Sequence, residues 1–162
     1  MTLTTALEQI RIAIDDPGLL RLLDYWSSKV AADRLPGRPD IDPQDMRFML
    51  GNLLLVDVER GPLRFRYRLI GTNLTTHIGL DLTGRPVDDH PDPTFRAQAL
   101  EIYAGEIYAG LTKTGLPCGF CRNAMIDGRL RRYQVLFLPL AADGRTVDMV
   151  LAGISFDVLP RN

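Results

Sequence analysis

Cys118-Gly119-Phe120-Cys121 has the C-x-x-C spacing of dithiol redox centres, and these are the two cysteines of the 162 residues. Dithiol chemistry wants the first thiol at a helix N-terminus, where its pKa falls and the second sulfur lies within reach. Here the motif falls in a predicted strand. Cysteines three apart along a strand sit roughly 10 Å apart and on opposite faces, past the ~7 Å Cα separation that a disulfide spans. Two small residues in a sheet edge is the plainer reading.

The other groups able to do chemistry are the histidines, an acidic cluster and a row of arginines. Asp88, Asp89, His90 and Asp92 offer the hard oxygen ligands that a divalent cation takes. Prolines interrupt them, which fits a solvated loop and the N-cap of the next helix better. Arg64, Arg66 and Arg68 alternate with apolar residues and share one face of a strand. They could meet an anion or an acidic partner, or pair with Asp57 and Glu59 while their stems cover apolar sheet. The chain has no glycine-rich phosphate loop, no H-E-x-x-H and no G-x-S-x-G. Ser27, Ser28 and Ser155 have no histidine partner suggested by spacing. An enzyme is not indicated.

Composition narrows the partners. A formal net charge of -1 provides no basic field to gather nucleic acid or an anionic membrane. The first residues, MTLTTALEQI, lack the basic and apolar regions of a secretory signal. No apolar run approaches the roughly 18 residues of a membrane span. With few cysteines as well, a reducing cytoplasm is the expected location.

These groups must be held by an ordered set of elements. Thr5 with Glu8 forms a capping-box pattern ahead of Leu7, Ile10 and Ile14. Asp16-Pro17 restarts the chain, and Leu19, Leu22, Leu23, Trp26 and Val30 recur at helical spacing. Residues 1–34 therefore read as an N-terminal helical extension, and 35–162 as the main domain. Arg34 to Pro43 is too rich in proline for anything but loop. Asp42-Pro43 then opens a short helix through Leu50.

Leu53 to Val58 is a dense apolar run, the first strand. Arg60-Gly61-Pro62 turns it back onto a second strand in which Leu63, Phe65, Tyr67 and Leu69 alternate with the arginines. Facing Glu59 with Arg64 sets Asp57 opposite Arg66, Val58 opposite Phe65, Val56 opposite Tyr67 and Leu54 opposite Leu69. A one-residue slip would turn every side chain to the wrong face. From Thr94 to about Lys113 a long helix is expected, with Leu100, Tyr103, Ile107 and Leu111 as its buried stripe. It contains the tandem repeat EIYAG at 101–105 and 106–110, whose period of five matches no helical face.

Pro117–Ile126 and Arg129–Leu140 flank Asp127-Gly128, a hairpin signal, and Thr146–Asp157 is the last strand. The first and last strands are apolar on both faces. The second carries three arginines, and the third carries Pro117, Gly119, Arg122 and Asn123. Edges tolerate charge, glycine and proline; centres do not. The expected architecture is α+β, one five-stranded antiparallel sheet in the order 2-1-5-4-3 with helices packed on it. If Tyr133 and Phe137 point inward, then Leu55, Leu136 and Leu138 leave an apolar patch on the opposite face. The Leu19–Val30 helix is its natural cover, from the same subunit or a second one, and so a candidate for dimerisation or signal output.

That strand order, with helices between strands two and three, resembles the PAS fold. The residues further resemble the PAS_5 (DUF1457) family of stand-alone bacterial PAS proteins. The likeness rests on Leu23-x-Tyr25-Trp26, LPGRPDIDP at 35–43, NLLLVDVE at 52–59, FRYRLIGTNL at 65–74, GLDLTGRPVDD at 79–89 and LFLPLAADGRTVDMVLAG at 136–153. The resemblance implies a sensory or regulatory module acting through protein–protein contact, without a catalytic residue to carry over. Flavin-adduct PAS domains use an N-C-R-F cysteine on the helical segment; Cys121-Arg122-Asn123 has the wrong order and lies on a strand. Haem-binding relatives use a histidine of the inserted helix, for which His77 and His90 are the candidates. No cofactor is assigned. A small molecule would sit between the inner sheet face and the inserted helices. Tyr67, Tyr103, Phe120 and Tyr133 are then its aromatic walls, with His77 or Arg122 as polar contacts. The alternatives are a ligand-free dimerisation module and a thiol redox protein using Cys118 and Cys121. The expected partners are a second copy of the chain, a signalling protein and a small molecule, with no nucleic acid and no membrane.

Overall fold

The computed structural model describes residues 1–126 and 129–157, the side chains of 98, 100–102, 124–126 and 129 excepted. The Asp127-Gly128 turn and the Leu100 side chain lie outside them. Two helices come first, α1 (Leu3–Ala13) and α2 (Pro17–Lys29). A 3-10 turn (Arg38–Asp40) and a 3-10 helix (Pro43–Asn52) lead into the hairpin β1 (Leu53–Glu59) and β2 (Arg64–Ile70). The inserted segment holds α3 (Thr72–Ile78), α4 (Pro93–Gln98), a π-helix (Ala99–Tyr108) and α5 (Ala109–Thr114). Strands β3 (Cys118–Ile126), β4 (Arg129–Leu140) and β5 (Met149–Asp157) close the fold.

The strands form one antiparallel sheet in the order β2-β1-β5-β4-β3, the order that strand chemistry predicts. Alternation along each strand sends side chains to two separate cores. Val56, Val58, Phe65, Tyr67, Tyr133, Val135 and Phe137 face the inserted helices. Leu53, Leu55, Leu136, Leu138, Leu140 and Leu151 face the N-terminal ones. Leu19, Leu22, Leu23 and Trp26 of α2 are wholly buried on this second face, so the cover of the leucine patch comes from the same chain. The Trp26 indole N–H donates to the Pro139 carbonyl at 3.0 Å. Approach is close enough that a Cβ on Gly153 would lie 2.9 Å from a Leu19 methyl.

The caps explain where α1 and α2 begin. Thr2, rather than Thr5, caps α1 by accepting from the Thr5 N–H at 3.2 Å. Asp16 caps α2 by accepting from the Leu19 N–H at 2.9 Å, with Pro17 at the first helical position. The last strand starts at Met149 rather than Thr146 because Asp143 holds a turn there. Its carboxylate accepts from the N–H groups of Arg145 at 2.8 Å and Thr146 at 2.7 Å. Those donors hold its pKa down at about 2.

Three local readings change. The hairpin register is as expected from Glu59 opposite Arg64 to Val56 opposite Tyr67, then slips, so that Leu55 faces Leu69 and Leu54 faces Ile70. Arg68 is the extra residue of this bulge. The ion pairs run diagonally rather than straight across: Arg66 Nε lies 2.6 Å from Glu59, and Arg68 lies 3.5 Å from Asp57. Arg64 turns to Asp88 at 3.7 Å. The single long helix is instead α4, π-helix and α5 in succession. Backbone hydrogen bonds of a π-helix join residues five apart, and the EIYAG repeat has that period.

Candidate ligand site on the inner sheet face

The six residues expected to line a site all reach the inner side, from β2, α3, the π-helix, β3 and β4. Tyr103 hangs from the π-helix and its hydroxyl lies 3.3 Å from that of Tyr133 on β4. Tyr133 in turn lies 6.2 Å, ring to ring, from Phe156 of β5. His77 of α3 stacks on the other side of this group, its ring 4.0 Å from Phe156. Phe120 packs 5.9 Å from Phe137, and the Arg122 guanidinium sits 5.1 Å from the Phe120 ring centroid. Arg122 is also the cross-strand partner of Tyr133. The result is an aromatic wall with a cation at one end and an imidazole near the other.

Electrostatics follow from burial. Tyr67 is pushed up to about 12 by desolvation of its phenol. Burial raises Tyr103 as well, the adjoining Tyr133 hydroxyl adds to it, and the Arg122 charge works against it. Neutral phenols that both donate and accept are therefore what the site presents at ordinary pH.

Sequence reasoning missed Tyr108. It is fully buried, packs edge-on against Phe137 at 5.6 Å and lies 6.4 Å from Tyr103. The signal was present: Tyr108 is the second copy of Tyr103 in a repeat whose period fits a π-helix. Gln134 was missed too. On the outer face its carbonyl accepts from the N–H groups of Asp15 at 2.8 Å and Asp16 at 3.0 Å, and its amide donates to Asp15 at 2.7 Å. Ser155 Oγ lies 2.7 Å from the other oxygen of the Asp16 carboxylate. The α1–α2 junction is thus clamped to β4 and β5, and little in a strand's alternation would have singled out a buried glutamine.

The remaining candidates take structural places. His90 is buried, with Nδ1 accepting from the Asp92 N–H at 2.9 Å and its ring against Phe95 at 4.2 Å. Asp92 caps α4 through Thr94 N–H at 2.8 Å. Among the described residues no three His, Cys, Asp or Glu side chains gather into a metal-binding group. Cys118 points into the inner core and is pushed up to about 12 by burial. Cys121 is exposed, its sulfur 2.8 Å from Arg132 Nε. A strand placement and a buried, proton-holding first thiol are the reverse of what dithiol exchange uses. Among the described residues no helix is long and apolar enough to cross a membrane.

Comparison with known proteins bears on the fold. The family model PAS_5, described as a PAS domain, matches residues 14–155, which takes in α2. The fold is similar to the PAS domain of Bordetella pertussis BvgS, with a TM-score of 0.52 and 17% identity over 73% of this chain and 87% of that one. It is also similar to VqmA bound to DPO, with a TM-score of 0.52 and 17% identity over 72% of this chain and 58% of that one. No curated protein matches the sequence.

Proposed function

We infer that this chain, which belongs to the PAS_5 family of PAS domains, is a cytoplasmic sensory module. It binds a small molecule on the inner face of its sheet and reports occupancy through protein–protein contact. The observation that carries this reading is the Tyr103–Tyr133 hydroxyl pair beneath the π-helix. Two phenols that meet at 3.3 Å satisfy each other only weakly. A ligand with a carbonyl or ring nitrogen could accept from both. Phe120, Tyr67 and His77 supply apolar and stacking surface around that point, and Arg122 a positive end. VqmA, a fold neighbour, was solved bound to DPO. Occupancy would act first on the π-helix, since Tyr103 belongs to it.

Native mass spectrometry of the purified protein tests the proposal. The expected result is a mass above the 18.1 kDa of the chain, lost in Tyr103→Ala, together with a change in oligomeric state between loaded and stripped protein. A bare chain whose assembly ignores cell-extract metabolites would sink it.

A second reading, a ligand-free dimerisation module, is favoured by how thoroughly Tyr108 and Phe137 fill the space under the π-helix. A dimer in sedimentation that carries no small molecule, and that Tyr103→Ala leaves intact, would select it.

A further inference from the structure

On the opposite face of the sheet lies a cleft of about 340 Å³ that shares no residue with the inner aromatic group. Its floor is Leu55, Leu69 and Leu151, and its wall is the 3-10 helix through Met46 and Leu50. Arg38 is the charged residue in its lining. Three features of the sequence build it. The bulge at Arg68 brings Leu69 alongside Leu55, where it stays 46% exposed. The 3-10 helix leaves Leu50 43% exposed beside it. At the closed end Gly71 crosses directly over the Gly51 carbonyl, a contact that any Cβ would prevent.

Arg38 is half-buried and fixed, one guanidinium nitrogen donating to the Ile41 carbonyl at 2.9 Å. The ion pairs among the described residues engage Arg11, Arg64, Arg66, Arg68 and Arg132, but not Arg38. A partly desolvated guanidinium beside apolar side chains, with no carboxylate within 4 Å among the described residues, leaves a positive charge for an incoming group to neutralise. The volume stands at the small end of the range for small-molecule pockets, about 300–1,000 Å³.

We propose that this outer cleft binds a small amphipathic carboxylate, its apolar tail on Leu50, Leu55, Leu69 and Leu151 and its carboxylate on Arg38. The site is independent of the inner one. It lies where the 3-10 helix meets β1 and β5, so occupancy would stiffen the element that precedes the sheet.

Methyl-resolved NMR with sodium octanoate, and with 1-octanol as the uncharged counterpart, tests the site on the wild-type chain. Saturable shifts of the Leu50, Leu69 and Leu151 methyls are expected, with octanoate binding about tenfold more tightly than octanol. Arg38→Gln should remove that tenfold difference and leave octanol binding unchanged. Equal affinity for the two probes would overturn the proposal. So would shifts confined to the Tyr103 and Tyr133 neighbourhood, or no saturable shift at all. The comparison of the two probes needs no variant, so it decides even if Arg38→Gln fails to fold.

Discussion

The two faces of the sheet are built from the same strands and have little else in common. The outer face is aliphatic: leucines from β1, β4 and β5 meet leucines and Trp26 of α2. Its main polar devices are the clamp of Gln134 on the α1–α2 junction and the indole bond to Pro139. The inner face is aromatic and carries buried phenols from β2, β4 and the π-helix. Aliphatic packing has no direction and gains by being complete. Phenols add donors and acceptors that need partners, and so leave a face able to respond to what is offered. The outer face is therefore the one packed mainly for stability, and the inner face is the one on which the proposed sensing would draw.

Trp26→Ala attacks that division hardest. Removing a wholly buried indole and orphaning the Pro139 carbonyl should cost about 3–5 kcal/mol in urea titration. If instead it costs less than an inner-face truncation such as Phe137→Ala, the assignment of stability to the outer face is wrong.

Next in size is a loss of stability in alkali that belongs to the inner face. Cys118 rises from 9.0 to about 12 and Tyr67 from 10.0 to about 12 on folding. Well below pH 9 both are protonated in either state, and their contribution is fully present. As pH rises through 9 and 10 the unfolded chain releases these protons first, so stability falls, and the buried Tyr103 and Tyr108 phenols, raised in the same direction, add to the fall. On the order of a few kcal/mol should go across that window. Thermal melts between pH 7 and 11 should show the fall, Tyr67→Phe should make it shallower, and Trp26→Ala should leave its slope alone.

Gln134→Leu should cost about 1–3 kcal/mol, since two backbone N–H groups lose their acceptor. Hydrogen exchange at Asp15 and Asp16 should speed up with it, while the inner core remains protected. Protection lost on both faces would mean that the clamp is not local.

Smallest of all, Tyr133→Phe should change stability by no more than about 1 kcal/mol, because the hydroxyl pair is long. Its effect should appear in ligand retention instead. A large loss of stability would mark the pair as structural rather than receptive.

Much of this was legible beforehand. Strand order follows from where Arg64, Arg66, Arg68 and Gly119 can be tolerated, and the α2 cover from the spacing of Leu19, Leu22, Leu23 and Trp26. Period-two alternation places Tyr67, Phe120, Arg122 and Tyr133 on the inner side once the register is known, whereas His77 and Tyr103 reach it from helices. What escaped were departures from period. The bulge at Arg68 adds one residue to β2, which no local propensity announces, and the diagonal ion pairs arise even where Asp57 and Glu59 keep their expected partners across the ladder. Gln134 escaped because a polar residue in a strand is ordinarily assigned to solvent.

The EIYAG duplication has a mechanical meaning. Residues five apart on an α-helix point about 140° away from each other, so under α-helical winding Tyr103 and Tyr108 could not both look at the sheet. The wider π winding brings them to the same side. Winding and side-chain direction are thus tied together in this segment: the Tyr103–Tyr133 contact exists only because the backbone is wound as a π-helix.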